Sequence, residues 1–286
     1  MKAYKGFDKD LKCRDFQYEV GKEYETESAI LCEKGFHACT NPLDVWDFYS
    51  PCDNNRFCEV EQSGDVEKNE KCSKVSSTKI KINAEIGIAG LVKAHIDFLK
   101  KSTINKVKSS IGESAIDKDY AKIGSSGYSA KIGSSGYYAQ IGSSGDSAQI
   151  GSSGDSAKIG SSGDSAKIGS SGDYAKIGSS GDYAKIGSSG YSAKIGSSGD
   201  SAQIGSSGDS AKIDSTGKGV VIANIGQDGI VKAEEGSWVT IAEYEDPKQD
   251  DKGKWYRPCK CVKSFKVTAE QAGKWLMLKD GKIVEV

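Results

Sequence analysis

Asp146-Ser-Ala-Gln-Ile-Gly-Ser-Ser-Gly154 is one copy of a nine-residue phrase that repeats from Tyr120 to Gly217. Isoleucine returns at every ninth position, from Ile123 and Ile132 to Ile204 and Ile213, and alanine stands two residues before each, from Ala121 to Ala211. A short fixed period held over about a hundred residues marks a solenoid, in which each unit buries its apolar face only against its neighbours.

Alanine and isoleucine are two apart, the strand period, so both face one side. The residue between them is Lys or Gln, as at Lys122, Gln140, Lys158 and Gln203, and belongs on the wet side. So does the Ser or Tyr before each alanine. The Gly-Ser-Ser-Gly that follows reads as a turn, with glycine supplying positive φ and serine bonding local backbone. A helix is excluded, because nine fits the helical period poorly and two interior glycines per unit would cost about 1 kcal/mol each. Two units close a flattened coil of eighteen residues and three a triangular one; the small interior side chains favour eighteen. Strands stacked about 4.8 Å apart make eleven units a rod on the order of 25–30 Å long, whose open sheet ends need caps.

The outer surface is charge-balanced. Asp119, Asp146, Asp155, Asp164, Asp173, Asp182, Asp200 and Asp209 match the lysines at Lys122, Lys131, Lys158, Lys167, Lys176, Lys185, Lys194 and Lys212. Tyrosine replaces aspartate at Tyr128, Tyr137 and Tyr191, and fills the next slot at Tyr120, Tyr138, Tyr174 and Tyr183. Tyr128, Tyr137, Tyr138, Tyr174, Tyr183 and Tyr191 are therefore the candidate partner-binding surface, weighed against simple stacking within the ladder. The repeat does not fit the calcium-binding nonapeptide, whose second glycine is serine here and whose aspartate falls one place early. Nor does the balanced face suit nucleic acid, which needs net positive charge to release counterions.

The 286 residues allow two or three domains. A formal net charge of −1 argues against wrapping nucleic acid and against a polybasic membrane anchor. No apolar run approaches the ~20 residues that span a bilayer, and Met1–Asp8 has no apolar signal-peptide core, so a cytoplasmic location is expected. The eight cysteines then read as free, mostly buried thiols. Cys32, His37 and Cys39 do not make a known zinc spacing, and no cofactor or metal is expected.

Residues 1–85 read as an α+β head. Strands are expected over Met1–Phe7, around Tyr24, over Ile30–Cys32 and Gly35–Cys39, over Arg56–Val60 and over Thr78–Ile82, with a charged loop from Gly64 to Ser73. A helix is expected to start at Thr40-Asn41-Pro42, a capping side chain followed by Pro at a first-turn position, and to run to Ser50. Residues 86–119 read as a transition: a helix from Ile86 to Leu99 capping the solenoid, with His95 in its packed face, then degenerate coils at Ile104, Val107, Ile111 and Ile116. Residues 120–217 are the nonapeptide solenoid. Residues 218–286 read as imperfect coils and a β-rich C-terminal cap. There Ala223-Asn-Ile-Gly226 resumes the phrase after a twelve-residue step, and a hairpin turns at Asp280-Gly281. The fold class is thus mainly β: a small α+β domain followed by a parallel β-solenoid, two units per coil.

Lys2-Ala-Tyr-Lys-Gly-Phe-Asp8, Gly35-Phe-His-Ala-Cys-Thr-Asn-Pro-Leu-Asp-Val45, the repeat and Gly236-Ser-Trp-Val-Thr-Ile-Ala-Glu-Tyr244 together resemble an uncharacterised family of phages and prophages. The resemblance implies a mobile-element origin and brings no activity. The head alone looks somewhat like ADP-ribosyltransferase-type domains. That likeness implies an NAD- or nucleotide-binding cleft at Tyr4, Gly6, His37 and Tyr49, with Glu59, Glu61 or Glu85 as the carboxylate, although no segment matches that family's catalytic glutamate motif.

With two histidines, no phosphate loop and no Ser/His/Asp grouping, the residues favour a non-catalytic binding or scaffold protein. It would present its solenoid and head to a host protein, as in counter-defence. The alternatives are the nucleotide-binding head on a solenoid stalk and a self-assembling rod.

Overall fold

A computed structural model describes residues 1–51, 55–69, 72–102 and 113–286. The chain divides into two compact units, Met1–Lys106 and Val107–Val286.

The first unit is a small closed sheet. Its strands are β1 (Lys2–Phe7), the short β2 (Lys12–Cys13), β3 (Phe16–Gln17) and β4 (Glu23–Glu25), then β5 (Phe36–Cys39), β6 (Arg56–Lys68) and β7 (Lys74–Glu85). The main sheet runs β4-β7-β5-β1-β6, and β6 also pairs with β7, so the ladder closes on itself. Of the charged stretch expected as a loop from Gly64 to Ser73, Gly64–Lys68 is strand: β6 and β7 form one long bulged hairpin paired from Cys58↔Glu85 to Lys68↔Val75. Alternation along it explains why charges read as loop. Val60, Gln62, Ile80 and Ile82 are buried while Glu61, Ser63 and Lys81 face out. Ile30 makes only an isolated bridge to Lys34.

Pro42 begins a single 3-10 helix, Pro42–Asp47, shorter than the helix expected to Ser50. Asn41 sits at its N-cap without a capping bond. Its Oδ1 instead lies 2.9 Å from Nδ1 of buried His95. His95 is on α1 (Gly87–Ser102), whose Leu91 and Val92 pack with Leu43, Trp46 and Phe57. The helix expected to cap the solenoid is therefore part of the head's own core: Trp46, Leu43 and Phe57 leave an apolar surface that α1 covers. Ile104, Val107 and Ile111, expected as degenerate coils, lie outside the described residues.

The second unit is a parallel β-solenoid of about seven coils across residues 122–241. One sheet stacks Glu113–Ile116, Lys131–Ser134, Gln149–Ser152, Lys167–Ser170, Lys185–Ser188, Gln203–Ser206, Val221–Asn224 and Trp238–Tyr244. The other stacks Lys122–Ser125, Gln140–Ser143, Lys158–Ser161, Lys176–Ser179, Lys194–Ser197, Lys212–Ser215 and Ile230–Ala233. Through the repeat each strand pairs with the one eighteen residues away, as in Ile132↔Ile150 and Ile141↔Ile159, so two units make a coil; the last step, Val221↔Trp238, is seventeen. Isoleucines and alanines are buried in both sheets, each isoleucine contributing about 1.5–3 kcal/mol.

The inward face holds more than the Ala-x-Ile pair. Strand alternation carries on through the first serine and the second glycine of each unit, so Ala157, Ile159, Ser161 and Gly163 all point inward and are buried. Positive φ falls on the Ser or Tyr before each alanine, as at Ser156 (57°) and Tyr174 (57°), and not on the repeat glycines. Its N–H donates to a carbonyl one coil on, Ser156 to Asp173 at 2.7 Å, which helps offset the cost of the left-handed backbone. Glycine at 163 has a different cause: a Cβ there would lie 2.1 Å from the Gly145 carbonyl oxygen of the preceding coil.

The repeat also continues beyond Gly217 without the twelve-residue step. Ile204 pairs with Ile222 and Ile213 with Val231, and Val220 occupies the alanine slot fully buried. Ala223-Asn-Ile resembles the phrase but is out of phase: Ala223 lies opposite Gly205, and Ile225 is exposed. The register obeys burial, and Val220 and Ile222 fill the interior better than Ala223 and Ile225 would.

At the far end the parallel ladders stop. Cys259–Lys266 pairs antiparallel with Trp238–Tyr244, and the hairpin Leu276–Lys279/Lys282–Glu285 meets Val231 through Leu276. Asp280 and Gly281 both have positive φ (49° and 65°), as a two-residue type I′ turn requires. Among the described residues no helix is long and apolar enough to cross a membrane.

Candidate functional site

The solenoid has two unlike outer faces. In the second sheet the outward glycines Gly142, Gly160 and Gly178 are buried. In the first, Gly151, Gly169, Gly187 and Gly205 have open space where a Cβ would stand. They floor a shallow groove of about 1000 Å³, edged by Lys131, Gln149, Lys167, Lys185 and Gln203. This bare row was missed in the sequence because all outward glycines look alike there.

The candidate tyrosines do not form one surface. Tyr137, Tyr138, Tyr174 and Tyr191 lie along the edge that leads into the second sheet, whereas Tyr128 and Tyr183 lie along the opposite edge. All six are exposed. Several interact within the ladder: Tyr120 stacks on Tyr138 (centroids 5.2 Å, 7°), and Tyr174 meets Tyr191 edge-on at 5.6 Å. The matched aspartates have a structural task as well as a charge. Asp146, Asp155, Asp164, Asp173, Asp182, Asp200 and Asp209 each accept a backbone N–H from the next coil at 2.7–3.0 Å.

The head holds a cavity of about 860 Å³. It brings together all four residues of the expected cleft, Tyr4, Gly6, His37 and Tyr49. β1 and β5 supply two walls and pair at one position only, Tyr4↔Cys39. Gly6 is required because a Cβ would come within 2.6 Å of the Tyr49 side chain. His37 Nε2 accepts the Cys32 N–H at 2.8 Å, so that nitrogen carries no proton. Burial, then the neighbouring Lys5, push the His37 pKa down, in keeping with a neutral ring.

The expected carboxylates are elsewhere. Glu85 pairs with Arg56, which holds its pKa below the ordinary value; Glu59 pairs with Lys2 at 2.8 Å; Glu61 faces solvent. None lines the cavity with His37, so the geometry of the transferase-like reading is not assembled.

The residue that sequence reasoning passed over is Lys5. It is only 5% exposed, on the same strand face as buried Ala3 and Phe7. Its Nζ donates to the His37 carbonyl at 2.9 Å and toward Cys13 Sγ at 3.3 Å, and lies 5.4 Å from the Phe7 ring centroid and 5.6 Å from that of Tyr18. Burial pushes its pKa down. A lysine at an inward strand position was the available signal.

The cysteines are free thiols of mixed exposure and not mostly buried: Cys39 and Cys58 are inside, Cys32, Cys72 and Cys259 at the surface. Cys52 lies outside the described residues. Burial pushes the Cys58 pKa up to about 12. Among the described residues no group of three or more His, Cys, Asp or Glu side chains is placed to hold a metal ion.

Residues 1–94 match the model of a family described as a domain of unknown function, DUF7666. Comparison with curated proteins and with solved structures finds no match. The matched span ends inside α1, in line with that helix being part of the head core.

Proposed function

We propose that this chain is a non-catalytic binding protein of phage or prophage origin that presents its solenoid and head to a host protein in the host cytoplasm, in the manner of a counter-defence inhibitor. The observation that carries this reading is the bare row Gly151, Gly169, Gly187 and Gly205 on the first sheet. Glycine is a poor strand former, and packing does not require it there. A flat floor edged by long polar side chains suits contact with a large partner.

Filling the floor tests the reading. Gly169→Leu with Gly187→Leu adds bulk into open space, so a host protein captured by the unaltered chain should escape the filled variant while thermal unfolding is unchanged. Retention of that partner by the filled variant would remove this face from the reading. If no host protein is captured and the light-scattering mass rises with concentration, the chain is a self-assembling rod instead.

A further inference from the structure

The head cavity contains a buried lysine that has no ion-pair partner among the described residues. Lys5 sits where the strand alternation of a small closed sheet calls for an apolar residue, between Ala3 and Phe7. Removing an ammonium from water is costly unless something compensates it. Lys5 finds two acceptors for three N–H groups, a backbone carbonyl and a thiol, and among the described residues it makes no ion pair. The rings of Phe7 and Tyr18 offset part of the loss. An apolar side chain at this position would avoid the cost, so the fold alone does not account for the lysine.

Its surroundings point the same way. Arg14 and Lys74 also line the cavity, and Phe16, Tyr18 and Tyr49 supply aromatic wall. Asp15 and Asp47 are the acidic side chains on the lining, leaving the cations in excess. Arg14 and Cys32, both on the cavity wall, have positive φ (55° and 70°); besides them only Leu11 does so among the described non-glycine residues of the head. That of Arg14 belongs to the two-residue turn between β2 and β3, which carries it to the cavity wall.

We infer that the head cavity is a binding site for a small organic anion, one with a carboxylate or phosphate that pairs with Lys5 and Arg14 and a planar ring that lies against Tyr18 and Tyr49. The ligand supplies the counter-charge that Lys5 lacks, and the burial of Lys5 strengthens that pair. This site is independent of the open solenoid face.

The test is titration of the full chain at low salt with inorganic phosphate, benzoate and AMP, followed by calorimetry and by NMR of the tyrosine rings. Saturable binding of benzoate or AMP, tighter than phosphate and with ligand-ring contacts to Tyr18 or Tyr49, is expected. Lys5→Met should weaken it on the order of ten- to a hundredfold. Arg14→Gln, a substitution in an exposed turn, serves the same purpose should Lys5→Met not fold. Equal binding of phosphate and the ring-bearing anions would overturn the ring contact. No saturable binding by any of the three at millimolar concentration, or binding indifferent to both variants, would overturn the site.

Discussion

The Oδ1 of Asp164 accepts the backbone N–H of Asp182, one coil further along, at 2.9 Å. The same bond recurs up both edges of the solenoid wherever aspartate holds this slot and lapses where tyrosine does. Asp164→Ala should cost about 0.5–1.5 kcal/mol, seen as a lower midpoint in thermal unfolding. Asp164→Asn keeps an acceptor and should cost less. Tyr191→Asp should stabilise by a similar amount, since its carboxylate would accept the backbone N–H of Asp209. Equal stability of Asp164→Ala and the parent would mean that the edge bonds are exchanged for water without loss.

Two glycines of successive units should respond oppositely. At Gly163 a Cβ would stand 2.1 Å from the Gly145 carbonyl oxygen, backbone that cannot move without parting the coils. Gly163→Ala is expected to cost more than about 3 kcal/mol, at the severe end of single substitutions. Gly169→Ala meets open space and should be neutral or stabilising by about 0.5–1 kcal/mol, the usual gain over glycine inside a strand. Denaturant unfolding of the pair decides it; a similar loss in both would contradict the spacing of the coils.

The interior serines carry a cost that the isoleucines beside them cover. The hydroxyls of Ser143, Ser161, Ser179 and Ser197 are buried with no hydrogen-bond partner among the described residues. Ser161→Ala removes such a group and should be neutral or stabilising by about 1 kcal/mol. Ile159→Ala, two residues earlier on the same face, should cost about 2–5 kcal/mol. A destabilising Ser161→Ala would show that the hydroxyl row holds internal water.

Glu243 ties the C-terminal hairpin to the last solenoid strand. Its carboxylate takes the Lys260 ammonium at 2.7 Å and the N–H groups of Asp280 and Gly281 at 2.9 and 2.8 Å. These bonds, that of Lys260 first, hold its pKa down to about 2. A carboxylate with a depressed folded pKa stabilises fully above its unfolded value of about 4.3 and loses that contribution as pH falls toward 2. Hydrogen exchange at Asp280 and Gly281 should therefore speed up between about pH 4 and 2 before the solenoid strands exchange. Glu243→Gln should show the faster exchange already at neutral pH. Unchanged protection in that variant would remove Glu243 as the tie.

Much of the head cavity was readable as a list of residues, since Tyr4, Gly6, His37 and Tyr49 do meet there. Its charge was not. Lys5 is ordinary in a list of lysines and unusual only once β1 is known to turn it inward. Glu85 looked available until Arg56, twenty-nine residues away, was found to hold it.

The period of nine, with Ala and Ile two apart, determined by itself that this chain stacks inward-facing strands, because a residue pattern that repeats locally leaves the chain only its own neighbours to pack on. Which glycine prevents a collision, which lies bare, where the left-handed residue falls and why Val220 belongs to the repeat while Ala223 does not were decided only in three dimensions. Each depends on what stands one coil away, and residues eighteen apart become neighbours only when the coil closes.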